Sequence, residues 1–160
     1  MRRRLSWIVL VVLALTSFAA CGGDDDDDDA GAPDTTSTSA AAAAMTLQTD
    51  AFADGGDIPV DYTCDGGNAE PELTWSGEPA ETQVIAVTVF DTDAQVEHLV
   101  RIGDISSVAW FGPCPPPEDG AHHYVFTVHA LDTIDLAATR AEIEAHTIAS
   151  ASITGLYDRN

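Results

Sequence analysis

One stretch limits the fold of this chain more than any other: Gly112-Pro113-Cys114-Pro115-Pro116-Pro117-Glu118-Asp119-Gly120-Ala121-His122-His123-Tyr124-Val125-Phe126. Its four prolines each fix φ and lack an amide donor, so the segment can be neither helix nor central strand. Gly112 and Gly120 bracket it and tolerate backbone angles that other residues resist. Beyond the prolines, His122 to Leu131 is an aromatic and β-branched run that reads as a buried strand. A stiff loop therefore delivers a histidine and a tyrosine to a sheet edge, the way a rigid scaffold presents a binding site.

The start of the chain reads as an export signal. Arg2-Arg3-Arg4 precedes an apolar run, Leu5 to Phe18, that is short for a membrane span. It ends Phe18-Ala19-Ala20-Cys21-Gly22, which resembles the bacterial lipobox with Phe18 where Leu is commoner. Residues 1–20 are thus expected to be a signal peptide and Cys21 the lipidated residue; cleavage with release, or an uncleaved anchor, are the alternatives. Asp24 to Asp29 is an unbroken acidic run, and Ala30 to Ala44 has almost no large apolar side chain. Residues 21–44 are expected to be a disordered tether, because such a segment buries too little surface to offset its chain entropy. The acidic run makes no calcium cage, since consecutive carboxylates lack a fixed loop. Residues 45–160 are left for one domain.

Charge excludes one class of partner. The chain holds 27 Asp and Glu against 6 arginines and no lysine. Three of those arginines would leave with the signal. Nucleic-acid binding requires clusters of Lys and Arg, so nucleic acid is excluded, and docking on anionic headgroups by charge is equally disfavoured. With Cys21 lipidated, Cys64 and Cys114 remain as a pair in an oxidising compartment, either as a disulfide or as two free thiols.

Several short strands follow from the pattern. Met45 to Tyr62 is turn-rich and predicts short strands, and Pro71 to Trp75 leads into another. Gln83 to Phe90 is nearly continuously apolar and predicts a central strand buried on both faces. Val96 to Ile105 and Thr147 to Leu156 alternate polar and apolar. Thr139 with Glu142 marks a capping box on a short helix within Ala138 to His146. The fold class expected is mostly β: an antiparallel β-sandwich with a short C-terminal helix.

Asp91 and Asp93 sit directly after the central strand, with Glu97-His98 close behind. Together with His122 and Tyr124 they invite a metal reading, yet nothing has the form of a recognised ligand motif. A solvated turn for the two aspartates, and packing at the loop edge for His122 and Tyr124, are the plainer alternatives. A metal-assisted hydrolase using Asp91, Asp93, His98 and His122 ranks lowest, because no positioned nucleophile can be read out.

Four segments resemble the phosphatidylethanolamine-binding protein family, which includes Raf kinase inhibitor protein. They are Ala51 to Pro59 with Tyr62 to Gly66, Asn68 to Trp75 with Ser76 to Pro79, Asp91 to Ala94 with His98, and Gly112 to Phe126. The likeness covers nearly all of Thr49 to Tyr157. It implies two packed antiparallel sheets with a small anion-binding pocket at one end, at Asp91, Asp93, His98, Gly112, Pro113, His122 and Tyr124. It also implies ligands with phosphate-like groups, including phospholipid headgroups, without a cofactor, a metal or catalysis. With two carboxylates and no arginine, such a pocket should prefer a protonated or zwitterionic guest.

Departures from the family pattern are specific. Thr92 stands for Pro, Gln95 for an apolar residue or Pro, Leu99 for Trp or His, His123 for Arg and Glu72 for Pro. The stretch between Ile105 and Gly112 is much shorter than usual, so the pocket should be more open or reshaped. The expectation is an exported binding protein, lipid-anchored on the outer face of the cell membrane, for small phosphate-bearing or zwitterionic ligands. The alternative is an interaction or inhibitor module for an exported partner protein, with a vestigial pocket.

Overall fold

The computed structural model describes residues 44–159; the leader, Cys21 and the acidic run lie outside them. The strands in chain order are β1 (Thr46–Gln48), β2 (Gly56–Asp57), β3 (Thr74–Ser76), β4 (Val84–Asp91), β5 (Val96–Ile102), β6 (Ile105–Val108), β7 (His122–Leu131) and β8 (Thr147–Tyr157). One helix, α1 (Arg140–Ala145), stands between β7 and β8. The fold is mostly strands with a single short helix, as the pattern predicts. Among the described residues no helix is long and apolar enough to cross a membrane.

β4 is central because both of its faces are apolar. Ala86, Val87, Thr88 and Val89 are all buried, and β5 and β7 pair with it antiparallel on either side. The full sheet has the order β2-β8-β7-β4-β5-β6. Val87 and Val89 face one core with Leu47, Phe52, Ile58, Leu99, Phe126 and Ile153, over which the small β1–β3 sheet and Trp75 pack. Ala86 faces the other core with Val100, Leu131 and Ile143 of α1. Burying each such aliphatic side chain contributes roughly 1.5–3 kcal/mol. Leu99, the departure from the usual aromatic or histidine, is an ordinary core residue at 1% exposure.

Two details depart from a plain antiparallel sandwich. The second sheet has only two strands, and β2 pairs parallel with β8, through Gly56↔Gly155 and Asp57↔Leu156. A two-residue strand has no periodicity to declare its direction, and a connection this long permits either orientation. The helix is capped as expected, with the Glu142 amide donating to the Thr139 hydroxyl. The reciprocal half of the box is not made, because the Thr139 amide donates instead to the Ala137 carbonyl at 2.8 Å.

The proline loop is fixed from behind by the segment around Asn68. The Gly112 amide donates to Asn68 Oδ1 at 2.6 Å, the Trp110 indole to the Asn68 carbonyl at 3.2 Å, and the Cys64 amide to the Pro113 carbonyl at 3.1 Å. Gly112 is required for room, since a Cβ there would collide with the Tyr62 carbonyl oxygen. Gly120 is required for conformation, with φ of +75°. A Cys64–Cys114 disulfide, its Cα atoms 5.4 Å apart, joins the same two segments across 50 residues. On the chain-entropy account, a loop of that size is worth about 4 kcal/mol.

Candidate functional site

The site lies where β5, β4 and β7 reach the same end of the sheet. Asp91, the last residue of β4, pairs across the ladder with Tyr124, and His122 lies two residues before Tyr124 on the same face of β7. His98 arrives by a different device. The β4–β5 ladder steps from Val89↔Leu99 to Phe90↔Glu97, so His98 is the extra residue of a β-bulge. Bulges re-aim a side chain, and here three successive residues, His98, Leu99 and Val100, are all buried.

Asp91 organises the centre. Its Oδ1 accepts the amides of Asp93 and Ala94, each at 2.9 Å, and its Oδ2 accepts His122 Nδ1–H at 2.8 Å. Burial pushes this carboxyl up, but the Ala94 amide, the His122 ring and the Asp93 amide outweigh it and hold it below the usual range. His98 Nε2 stands 4.0 Å from the same Oδ2. The other nitrogen, Nδ1, lies 2.7 Å from the Phe111 carbonyl, which can only accept, so Nδ1 carries the proton. Burial lowers the His98 pKa, opposed by the Phe111 carbonyl and the Asp91 charge without being reversed.

Tyr124 is fully buried between the two rings, edge-on to His98 at 5.1 Å and stacked beside His122 at 6.4 Å. Its hydroxyl lies near Asp91 and the Cys114 amide but in bonding geometry with neither. Burial first, and the Asp91 charge second, push the phenol far up, with the Cys114 amide pulling the other way.

These four side chains line one cavity of about 110 Å³. Cys114, Pro115 and Pro116 of the proline loop close one side of it, and Ala94, Val96 and Phe111 another. Phe111 tilts over His98 at 4.2 Å and stands where the segment from 105 to 112 is short. Of the seven residues expected at the site, Asp91, His98, His122 and Tyr124 come together. Asp93 does not line the cavity: its carboxylate turns to His123, accepting the backbone amide at 2.7 Å and the ring Nδ1–H at 3.0 Å. That amide first, and then the ring, hold Asp93 low against the opposing effect of burial. The proposed metal quartet therefore does not converge. Gly112 and Pro113 lie behind the wall and set its position.

Sequence reasoning missed Phe111, Asn68 and Arg159. Arg159 grips Asp65 through two bonds of 2.7 and 2.8 Å, and the Tyr157 hydroxyl joins at 2.8 Å, beside Cys64. The aromatic next to Gly112 was the one local signal for Phe111; the Arg159 contact spans 94 residues and leaves none.

Known proteins carry the same pattern. The family model described as phosphatidylethanolamine-binding protein matches residues 48–105 and 96–158. A UPF0098 protein of Methanothermobacter thermautotrophicus is 34% identical over 152 residues, covering 72% of this chain and 99% of that protein. A UPF0098 protein of Pyrococcus horikoshii is 36% identical over 76 residues, a match spanning 43% of this chain and only 38% of that relative. Among solved structures, YbcL of E. coli, described as a member of the mammalian PEBP family, superposes with a TM-score of 0.63 at 26% identity, covering 74% of this chain and all of YbcL. A phosphatidylethanolamine-binding protein homologue from Chlamydia trachomatis has the same TM-score at 24% identity, over 73% of this chain and 99% of its own, which speaks to fold. Matching over most of the described residues, by profile, by a full-length relative and by fold, the chain belongs to the phosphatidylethanolamine-binding protein family.

Proposed function

We propose that this chain is an exported, lipid-anchored binding protein for small ligands bearing a phosphate or zwitterionic headgroup, and that it acts without catalysis. Membership of a family of binding proteins supports the general role. One observation carries the specific reading: the buried Tyr124 hydroxyl, in the wall of a cavity, has no hydrogen-bond partner. Leaving a buried hydroxyl unpaired costs about 1–3 kcal/mol, and a ligand oxygen would relieve that cost. The cavity suits a group of phosphate size rather than an acyl chain. Its sole hydroxyl is a phenol pushed far up and so a poor nucleophile, which favours binding over chemistry. Export is supported by the exposed Cys64–Cys114 disulfide, which persists in oxidising compartments.

Titration of the purified protein with phosphoethanolamine and with inorganic phosphate, read on the His98 and His122 ring signals by NMR, tests the role. Saturable shifts are expected in the native protein, with affinity reduced about tenfold or more in Tyr124→Phe. A native protein whose rings do not move at millimolar ligand would sink the binding role.

A further inference from the structure

The cavity is poor in donors, and that narrows what it can hold. All three arginines among the described residues are engaged elsewhere: Arg101 with Glu70, Arg140 with Glu97 and Glu144, and Arg159 with Asp65. There is no lysine. The amides of Asp93 and Ala94 already donate to Asp91, and the Cys114 amide lies beside the Tyr124 hydroxyl. His98 spends its Nδ1 proton on the Phe111 carbonyl, which leaves Nε2 as a bare acceptor in the lining. His122 spends Nδ1–H on Asp91, and its other nitrogen stands 4.0 Å from the exposed Asp119 carboxylate. Asp91 adds a negative charge at the centre, while Asp93 and the His123 ring pair outside the cavity. The one side chain that is a fixed donor is Tyr124.

A phosphate monoester dianion placed here would set bare oxygens against a lone pair and a carboxylate. A phosphate that carries one proton resolves the mismatch. Its P–OH donates to His98 Nε2, and an unprotonated oxygen accepts from Tyr124. We infer that the site takes only the proton-bearing monoanion of a phosphate monoester, with His98 as the residue that reads the proton. This rests on the binding role proposed above and names the form of ligand it selects. Burial lowers the His98 pKa and so favours the acceptor state.

The test compares methyl phosphate, a monoester whose dianion keeps no proton, with methyl sulfate, an ion of the same shape that stays unprotonated at these pH values, by calorimetry on the native protein from pH 5.5 to 8.5. Methyl phosphate is expected to bind and then weaken about tenfold per pH unit above its second pKa, about 6 for a phosphate monoester. Methyl sulfate should bind at least roughly tenfold more weakly than methyl phosphate at pH 5.5. The preference should collapse in His98→Gln, whose amide can donate to a bare oxygen. Methyl sulfate binding that matches methyl phosphate and strengthens alike in acid would assign the pH dependence to the protein's own groups and overturn the inference. Methyl phosphate binding that tightens as pH rises would overturn it too. If neither ion binds the native protein, the binding role falls, and this inference with it.

Discussion

His98 and His129 are buried rings whose protons are placed by their neighbours. The Thr147 hydroxyl gives its proton to the Ile143 carbonyl at 2.7 Å, so it must accept from His129 Nδ1 at 3.1 Å. His129 Nε2 is then free to accept the Thr88 hydroxyl, also at 3.1 Å. One neutral ring thereby joins β4, β7, β8 and the end of α1. Burial lowers the pKa of both histidines; Glu144 opposes it at His129 without reversing it. The unfolded chain takes up protons near pH 6.5 that the folded rings refuse, so stability must fall as pH drops below that value. Each ring contributes a slope of up to about 1.4 kcal/mol per pH unit. Urea denaturation at pH 7 and pH 5.5 should register the loss, and His129→Gln, though less stable at pH 7, should lose less between the two. An unchanged slope in that variant would remove His129 from the account.

The proline loop holds its place as an element because another segment receives it. Gly112→Ala should cost about 1–3 kcal/mol of stability by urea denaturation, the range for overpacked sites, because its Cβ meets backbone on the Tyr62–Thr63 side that cannot yield cheaply. Gly120→Ala meets open space and should cost only the strain of a positive φ, with the His98 ring signals undisturbed. Equal effects on those signals would mean that the two glycines act alike. The loop's stiffness was legible in its prolines, as β4 and β7 were in their apolar runs and α1 in Thr139. Asp91, His98, His122 and Tyr124 were legible as polar residues at strand ends. Asp93 was not separable from Asp91, since which carboxylate turns inward depends on the turn that follows β4. The re-aiming of His98 by a bulge, and the Phe111 wall, depend on register between strands, which a local pattern does not carry. The parallel β2–β8 pair was hidden for the same reason.

At the scale of the whole molecule, charge and anchoring are linked. With 27 acidic residues and no lysine, charge offers little attraction to an anionic membrane, so the proposed attachment rests on the lipid proposed on Cys21. In a bacterium that processes lipoproteins, the native chain should sediment with membranes and Cys21→Ser should move to the soluble fraction. Retention of the variant on membranes would assign the attachment to an uncleaved leader instead. The pairing of β2 has a different kind of consequence. Gly55 and Asp54 bond to Thr154, and Ile58 to Leu156, so an early piece of the chain has its partner about a hundred residues later. During synthesis that early piece must wait until nearly all of the domain has been made. Such long-range closure slows folding. If the chain is exported as proposed, slowness would be an advantage for a polypeptide threaded across a membrane before it becomes compact, and the same edge strand that completes the sheet would act as a clock, postponing the native state until the journey is over.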